Sequence, residues 1–362
     1  MSATSETLSG DYNQTAVDIA ARLTAAHSAQ FENRGERPVE ELFPDFNRVG
    51  LGVALEYQRM GAQPVSDALS AQAASLGIEF EHLGTTLGTV LHNVDLSQPL
   101  SHEQVACVRQ TLLERKVIFF REQLLTADQQ VAFARNFGEL DAFPFGRTGD
   151  NPFILEIEHD DQRPGTENGW HTDVTWMEQP SLGSVALCVE VPPIGGDTLF
   201  ADSHAAYLGL TTAVQQQLEH LHGIHDYRIF LAGGGAGALP DELVADIKAA
   251  IPFGVSHPLL RTHPETGKTA LYLHGGFLRH DSLYDHRNGE ALDPEASRRL
   301  VAHLLAQHGR PEYVCRFNWR PGSIAFWDNR AVQHYAASDY HPYRRLLRRV
   351  TISGDKPYYR PE

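Results

Sequence analysis

The chain is organised around two short sequences, WHTD (170–173) and, far downstream, WDNRAVQH (327–334). His171 and Asp173 are two residues apart, so on a β-strand their side chains would leave the same face. Together with His334 from another strand, they offer two imidazoles and a carboxylate. This is the facial ligand set that leaves coordination positions open on ferrous iron. The two sequences therefore predict a metal site built between strands.

A basic run that reads as a strand, RRLLRRVTI (344–352), follows the second of these sequences. Arg345 and Arg349 are four residues apart, so they share one face of a strand. A planar guanidinium held in a barrel strand is suited to binding a carboxylate through two parallel hydrogen bonds. A metal with open positions beside such an arginine suggests a 2-oxoacid cosubstrate. We expect Arg344 and Arg348 to lie on a solvated basic face.

Composition restricts the class of partner. The 362 residues carry a formal net charge of −16, and 42% of them are hydrophobic. The acidic balance argues against a nucleic-acid binder, which would show a basic face, and against attraction to anionic membranes. An anionic substrate must therefore be captured by local cations, and we expect a small-molecule partner.

The cysteines predict a reducing compartment. Cys107, Cys188 and Cys315 are widely spaced and form no CxxC pair, so a disulfide framework or a cysteine zinc site is not indicated. The polar N-terminus lacks the pattern of a signal peptide, and no run of 18 apolar residues is present. These features lead us to expect a cytoplasmic protein.

The chain divides into two parts by pattern. Residues 1–75 read as an N-terminal extension, with helical spacing near 14–30 and a second helical stretch over 65–76. Residues 76–362 contain short extended runs with a few helices between them. We therefore expect a mainly β domain with flanking helices, folded as a barrel or sandwich.

Local signals place the elements of the second part. SHEQ (101–104) and TADQ (126–129) have the form of capping boxes and predict helices that begin there. Further helices are predicted over 211–222, 240–250 and 294–307. Strands are predicted near 78–80, 89–96, 117–120, 184–189, 198–201, 259–262, 269–273, 313–317, 323–327 and 345–352.

Two other motifs are given structural interpretations. The glycine-rich sequence at 232–237 lacks the following Lys-Ser/Thr of a phosphate loop and is interpreted as a connecting loop. A second His-x-Asp motif, at His159 to Asp161, lies in an acidic stretch and is interpreted as a solvated loop.

The order of the motifs resembles that of the TauD/TfdA family of Fe(II)- and 2-oxoglutarate-dependent dioxygenases. The resemblance runs from about residue 77 to 360 and comprises WHTD (170–173), GGDT (195–198), WDNRAVQH (327–334) and RLLRRVTISGD (345–355). It implies a double-stranded β-helix core, a jelly roll of the cupin-like kind. It also implies an enzyme that uses Fe(II), 2-oxoglutarate and O2 to hydroxylate a C–H bond, releasing succinate and CO2.

The resemblance assigns roles to individual residues. His171, Asp173 and His334 correspond to the iron ligands. Arg345 and Thr198 correspond to the residues that bind the distal carboxylate of 2-oxoglutarate, and Arg349 to the arginine near its C1 carboxylate. Family members commonly form dimers or tetramers, so a homo-oligomer is expected.

The residues expected around the substrate differ from the taurine-oxidising branch. Phe143 and Gly146 stand where that branch has a histidine and a tyrosine, and Glu167 replaces an asparagine. Loss of a donor and gain of a carboxylate disfavour taurine. Phe143, Phe145, Phe277 and Glu167 are the candidates for a pocket that accepts a bulkier organic molecule.

Alternatives remain open. The same chemistry on an alkylsulfonate or alkyl sulfate would release sulfite or sulfate. From other classes, a zinc hydrolase could use two histidines and an aspartate, and a non-catalytic jelly roll could bind a metal. Neither of these last two would require Arg345 or Thr198.

Overall fold

The computed structural model describes residues 48–143, 147–148, 151–165, 167–228, 240–251 and 253–361. The helix predicted near 14–30, the glycine-rich loop and Phe145 lie outside the described residues. The helices are α1 (Arg48–Arg59), α2 (Asp67–Ser75), α3 (His102–Arg115), α4 (Ala127–Arg135), α5 (Ser203–Leu208), α6 (Thr212–Leu218), α7 (Asp241–Ala250) and α8 (Pro294–His308).

The described residues also form many short strands. They are β1 (Glu79–His82), β2 (Thr89–His92), β3 (Val117–Phe120), β4 (Leu140–Asp141), β5 (Arg147–Thr148), β6 (Ile154–His159), β7 (Gly183–Glu190), β8 (Thr198–Asp202), β9 (Leu221–His225), β10 (Val255–Pro258), β11 (Leu260–Thr262), β12 (Thr269–Leu271), β13 (Tyr284–Asp285), β14 (Glu290–Ala291), β15 (Val314–Phe317), β16 (Ile324–Asp328), β17 (Val332–Ala336) and β18 (Arg345–Ile352). The expectation of a mainly β domain with flanking helices is confirmed.

Two sheets enclose the central core. The larger has the strand order β1-β2-β3-β16-β7-β18-β6-β5, with β4 also paired to β18, and the smaller has the order β15-β8-β17. Successive side chains of the buried strand β16 point to opposite faces of the larger sheet, and both faces pack against apolar residues. Ala325 and Trp327 join a cluster with Phe200 of β8 and Phe317 of β15, so this face meets the smaller sheet. The core lies between the two sheets, as in a jelly roll.

Helices cover the other face of the larger sheet. Phe326 of β16 packs with Val108 of α3 and Phe133 of α4 in a second apolar cluster. Both helices begin where the capping boxes predicted, because Ser101 and Thr126 each accept an N3 backbone N–H. A sheet that is apolar on both faces is therefore shielded on one side by helices and on the other by strands.

One predicted helix ends early. The helix expected over 211–222 stops at Leu218 in α6, and β9 begins at Leu221. β9 pairs with β10 and β13. Pairing with distant strands therefore overrides a local helical pattern at these residues.

The N-terminal helix α1 is tied to the barrel by a buried ion pair. Glu56 Oε1 lies 2.8 Å from Lys116 Nζ, next to the start of β3. Residues 47–362 form one compact unit. The division predicted near residue 75 stays a prediction.

The cysteines are thiols in the apolar interior. Cys107, Cys188 and Cys315 are all buried, and none forms a disulfide. Burial raises the pKa of Cys315 to about 12 and that of Cys188 to about 11, so both are protonated at neutral pH. Within the described ranges, no helix is long and apolar enough to cross a membrane.

Candidate metal centre

The structure brings His171, Asp173 and His334 together. One ligand atom from each lies within 4.8 Å of the other two, and His334 Nε2 is 3.8 Å from Asp173 Oδ1. Donors at about 2 Å from a common ion are at most about 4 Å apart, so small side-chain movements would let one first-row ion contact all three. The donor set is the two-histidine, one-carboxylate set expected from the sequence.

A turn, and not a strand, places the first two of these residues. His171 forms a single β-bridge with His334, through N–H···O bonds of 3.0 and 2.7 Å. The chain then turns at once, and Val174 has a φ of 49°, in the left-handed region that a β-branched residue rarely adopts. The prediction that His171 and Asp173 share a strand face is therefore wrong, because the turn brings the carboxylate beside the histidines.

Two buried histidines from other strands form hydrogen bonds with the residues that follow this turn. His257 Nε2 donates to the carbonyl oxygens of Thr175 and Met177 at 2.8 and 2.9 Å, and His225 Nδ1 lies 2.8 Å from Thr175 Oγ1. Burial lowers the pKa of His257 to about 4, so it is neutral. The backbone that carries Asp173 is thus fixed by side chains from β9 and β10.

Asp173 is a carboxylate at neutral pH. Arg349 Nη1 donates to its Oδ1 at 2.7 Å, and Ser184 Oγ donates to Oδ2 at 2.9 Å. Burial alone would raise the pKa of Asp173, but the Arg349 cation holds it well below its usual range. Arg349 Nε is buried and has no acceptor among the residues that the structure describes. One further donor therefore faces this part of the site.

Hydrogen bonding orients one of the two imidazoles, that of His171, for ligation. His171 Nδ1 lies 2.7 Å from the carbonyl oxygen of Gly169, which makes Nδ1 the donor of that bond and leaves Nε2 as the nitrogen that could bind a metal. Burial, reinforced by His171, lowers the pKa of His334 well below its ordinary value, so the His334 imidazole is neutral. Neutral imidazole nitrogens are the form that binds a metal.

A buried arginine lies at the other end of the site. Arg345 is 2% exposed, and it donates from Nε to the Gly196 carbonyl at 3.1 Å and from Nη2 to Thr198 Oγ1 at 3.4 Å. Trp319 Nε1 also donates to Thr198 Oγ1, at 2.9 Å. No carboxylate oxygen in the described part of the chain lies within 4 Å of the Arg345 guanidinium. A buried cation whose partners are all neutral is suited to binding an anion.

Two of the predicted pocket residues lie in an apolar cluster near the metal ligands. The Arg349 guanidinium carbon is 5.5 Å from the centre of the Phe143 ring, and the Phe277 ring is 4.0 Å from that of His274. Phe143 and Phe277 belong to one cluster with Val174, Trp176, Tyr227 and Ile247.

The sequence reasoning did not single out His274. Its ring lies 5.3 Å from that of His171, and its Nδ1 accepts the backbone N–H groups of Gly276 and Phe277 at 2.8 and 2.9 Å. The proton of the neutral ring is therefore on Nε2, which makes this residue a hydrogen-bond donor beside the metal ligands. The sequence signal was a histidine directly before Gly275, where a Cβ would lie 2.9 Å from the carbonyl oxygen of Trp170, next to His171.

The fourth pocket candidate, Glu167, contacts a different histidine. Its Oε1 lies 3.3 Å from His159 Nε2, and His159 Nδ1 lies 2.8 Å from Tyr340 Oη. His159 ends strand β6 opposite Arg345 and is buried. The interpretation of its motif as a solvated loop is therefore wrong for His159, because pairing with β18 draws it inside.

Comparison with known proteins agrees with this arrangement. Residues 79–351 match the family described as taurine catabolism dioxygenase TauD, TfdA family. The chain is 32% identical to an alpha-ketoglutarate-dependent sulfate ester dioxygenase of Pseudomonas putida, over 80% of this chain and 94% of that protein. It is also 32% identical to the alpha-ketoglutarate-dependent 2,4-dichlorophenoxyacetate dioxygenase of Cupriavidus pinatubonensis, over 73% and 94%.

A solved structure agrees in fold. A taurine dioxygenase from Burkholderia xenovorans superposes with a TM-score of 0.64 at 36% identity, covering 77% of this chain and 90% of that one. Alpha-ketoglutarate is 2-oxoglutarate, so the P. putida and C. pinatubonensis relatives are named for one cosubstrate and for different substrates.

Proposed function

Since this chain belongs to the TauD/TfdA family of Fe(II)- and 2-oxoglutarate-dependent dioxygenases, we propose that His171, Asp173 and His334 bind its iron. The supporting observation is the convergence of a buried carboxylate and two imidazoles, whose ligand atoms lie within 4.8 Å of one another. When bound, iron with 2-oxoglutarate and O2 supplies the oxidising power that hydroxylates a C–H bond and releases succinate and CO2. The protein contributes ligands, orientation and exclusion of water.

The two arginines of β18 bind the cosubstrate in this proposal. Arg345 and Thr198 take the distal carboxylate, because the buried guanidinium has only neutral partners at hand. Arg349 takes the metal end, near the C1 carboxylate; its contact with Asp173 and its remaining buried N–H group support this role. Charge-assisted hydrogen bonds at both ends orient the molecule.

The substrate in this proposal is a small organic molecule with an apolar body, other than taurine. Phe143 and Phe277 supply apolar surface in a cluster that contains Val174, the residue after a proposed metal ligand. His274 Nε2 supplies a donor. The pocket role given to Phe145 rests on sequence alone. Glu167 leaves the set of pocket residues, because its carboxylate contacts His159.

A second candidate substrate is an alkyl sulfate or alkylsulfonate. The P. putida relative is named for a sulfate ester, and it matches four fifths of this chain. Hydroxylation of the carbon that bears the ester oxygen or sulfur would then release sulfate or sulfite.

Location and assembly are proposed on sequence grounds. Three buried free thiols favour a reducing compartment such as the cytoplasm. Family resemblance favours a dimer or tetramer, which sedimentation velocity would measure directly.

An anaerobic titration tests the metal and cosubstrate proposal. The Fe(II) protein is titrated with 2-oxoglutarate while the visible charge-transfer band of the chelate is recorded. We expect the band in the wild type and its loss in Asp173→Ala. The matched control is Asp161→Ala, which removes the exposed aspartate of the second His-x-Asp motif and should keep the band.

Two outcomes of the titration would contradict the proposal. Iron binding without the band would favour a hydrolase or a non-catalytic metal-binding protein. An activity assay without oxygen would then distinguish these two, because only the hydrolase would be active. Retention of the band in Asp173→Ala would show that the carboxylate is not a ligand.

A further inference from the structure

We propose that Tyr340, His159 and Glu167 form a hydrogen-bonded chain, here called the Tyr340 relay, that positions the Arg345 guanidinium. This inference rests on the proposed binding of the distal 2-oxoglutarate carboxylate by Arg345. In it the three residues are positioning residues that act through Arg345 and touch neither iron nor substrate.

The contacts of the relay are continuous and mostly buried. Tyr340 Oη lies 2.8 Å from His159 Nδ1, and His159 Nε2 lies 3.3 Å from Glu167 Oε1. Tyr340 is 5% exposed and His159 9%. The Arg345 guanidinium carbon lies 5.7 Å from the centre of the Tyr340 ring, so the two side chains are neighbours. A single path thus joins the buried cation to a partly exposed carboxylate.

Hydrogen-bond chemistry gives the relay a direction. In the proposed relay the Tyr340 oxygen accepts from Arg345, because a guanidinium can only donate. The hydroxyl proton is then free to be donated to His159 Nδ1. His159 then accepts at Nδ1, and its Nε2 faces the Glu167 carboxylate, to which only an N–H group can donate. Each donor in the chain has one acceptor, so the Tyr340 hydroxyl has one favoured orientation.

The backbone brings the four residues together from separate elements. Strand pairing places Arg345 of β18 directly opposite His159 of β6. Glu167 is held near the end of β17 by a 3.4 Å bond from Ala336 N–H to its carbonyl oxygen. Gly165 leaves room for the Tyr340 hydroxyl, because a Cβ at residue 165 would lie 2.6 Å from Tyr340 Oη. This close approach gives a second way to perturb the relay.

The relay restrains Arg345 without neutralising it. A carboxylate in direct contact would compete with the incoming anion for the same N–H groups. A tyrosine hydroxyl is a neutral acceptor, and the Glu167 charge stands two groups away. The relay therefore supplies orientation and leaves the guanidinium charge for the ligand.

The test compares two 2-oxoacids on the anaerobic Fe(II) protein. 2-Oxoglutarate has the distal carboxylate, and 2-oxobutyrate lacks it but chelates iron in the same way. In Tyr340→Phe we expect the dissociation constant for 2-oxoglutarate to rise about tenfold, with that for 2-oxobutyrate unchanged. His159→Asn should have the same selectivity and a smaller effect, since an asparagine oxygen can still accept from Tyr340. The control Tyr343→Phe removes an exposed hydroxyl three residues away and should change neither constant.

The outcomes separate the relay from the proposed function. If Tyr340→Phe changes both constants equally, or neither, the relay is overturned. If Arg345→Gln itself fails to reduce the preference for 2-oxoglutarate over 2-oxobutyrate, the carboxylate-binding role of Arg345 fails as well. Gly165→Ala displaces the hydroxyl without removing it, so it provides the same selective test if Tyr340→Phe does not fold.

Discussion

Two buried cations in this protein are stabilised in opposite ways. Lys116, at the junction of α1 and β3, has Glu56 Oε1 and Asp202 Oδ2 each at 2.8 Å. Arg345, at the end of the jelly roll, donates to a carbonyl and a hydroxyl and lies beside the ring of Tyr340. The adjacent carboxylates raise the pKa of Lys116 despite its burial, whereas burial lowers that of Arg345.

The difference indicates which cation is structural and which binds a ligand. A buried charge must be compensated, either by the protein or by something that binds. Lys116 is compensated by two charges of the chain itself. Arg115 shows that neutral partners can suffice when they are numerous, since it donates to five carbonyls and to Thr89 Oγ1. Arg345 has neither two carboxylates nor such a cage, which leaves it suited to an anion from outside.

Removing Lys116 should have the largest effect on stability. Lys116→Met would leave Asp202 and Glu56 buried without their shared cation, so we expect the free energy of unfolding to fall by about 3–5 kcal/mol. Urea unfolding measures this, and the affinity for 2-oxoglutarate should stay unchanged. The control Lys356→Met breaks an exposed pair with Glu178 and should leave stability unaltered. If Lys116→Met were as stable as the wild type, the structural role given to Lys116 would be wrong.

Removing Arg345 should weaken 2-oxoglutarate binding and leave the stability of the protein unchanged. Arg345→Gln deletes the proposed partner of the distal carboxylate, so we expect about a hundredfold weaker 2-oxoglutarate binding, near 3 kcal/mol. The free energy of unfolding should not fall, because no carboxylate of the described chain is left unpaired beside it. Isothermal titration and urea unfolding measure the two quantities. Arg348→Gln, on the same strand but half-exposed, is the control and should leave both values as in the wild type.

Acid should weaken the structural region through His204. Its Nδ1 lies 2.9 Å from the Thr269 carbonyl, and burial lowers its pKa to about 4 from an unfolded value of 6.5. Between these values the unfolded chain binds the extra proton, so stability falls as pH falls from 6.5 to 4. We expect a loss of about 2 kcal/mol over this range.

A variant without the His204 imidazole tests whether this residue causes the loss of stability in acid. In His204→Asn, the decline in unfolding free energy between pH 6.5 and 4 should be smaller by that amount. An identical decline in the variant would assign the acid sensitivity elsewhere. Glu56 does not interfere in most of this range, because its pKa is lowered to about 2 and its contribution is lost only below pH 4.5.

Features set by local sequence were predicted well. The caps at Ser101 and Thr126 and the strand over 345–352 depend on neighbouring residues, and the structure has them where expected. The association of His171 with His334 followed from donor chemistry, although the turn at Val174 did not, because its backbone is held by His225 and His257 from distant strands.

Features set by long-range pairing were not predictable in this way. Tyr340 and His159 are 181 residues apart, and nothing near either residue marks the other as its partner. Their contact follows from the pairing of β6 with β18, which sequence patterns do not specify. Glu167 was given a substrate role by position, while its carboxylate contacts this same pair.

Strand β18 has a consequence for how such proteins diversify. It is hydrogen-bonded on both sides, to β6 and to β7, and it carries Arg345 and Arg349 about 13 Å apart along the backbone. Neither arginine can shift along the strand without breaking a ladder, whereas Phe143 and Phe277 lie on connecting segments. Mutation can therefore reshape the substrate walls while the spacing of the two cations is inherited unchanged. A lineage built on this strand can explore new substrates without having to reinvent its cosubstrate.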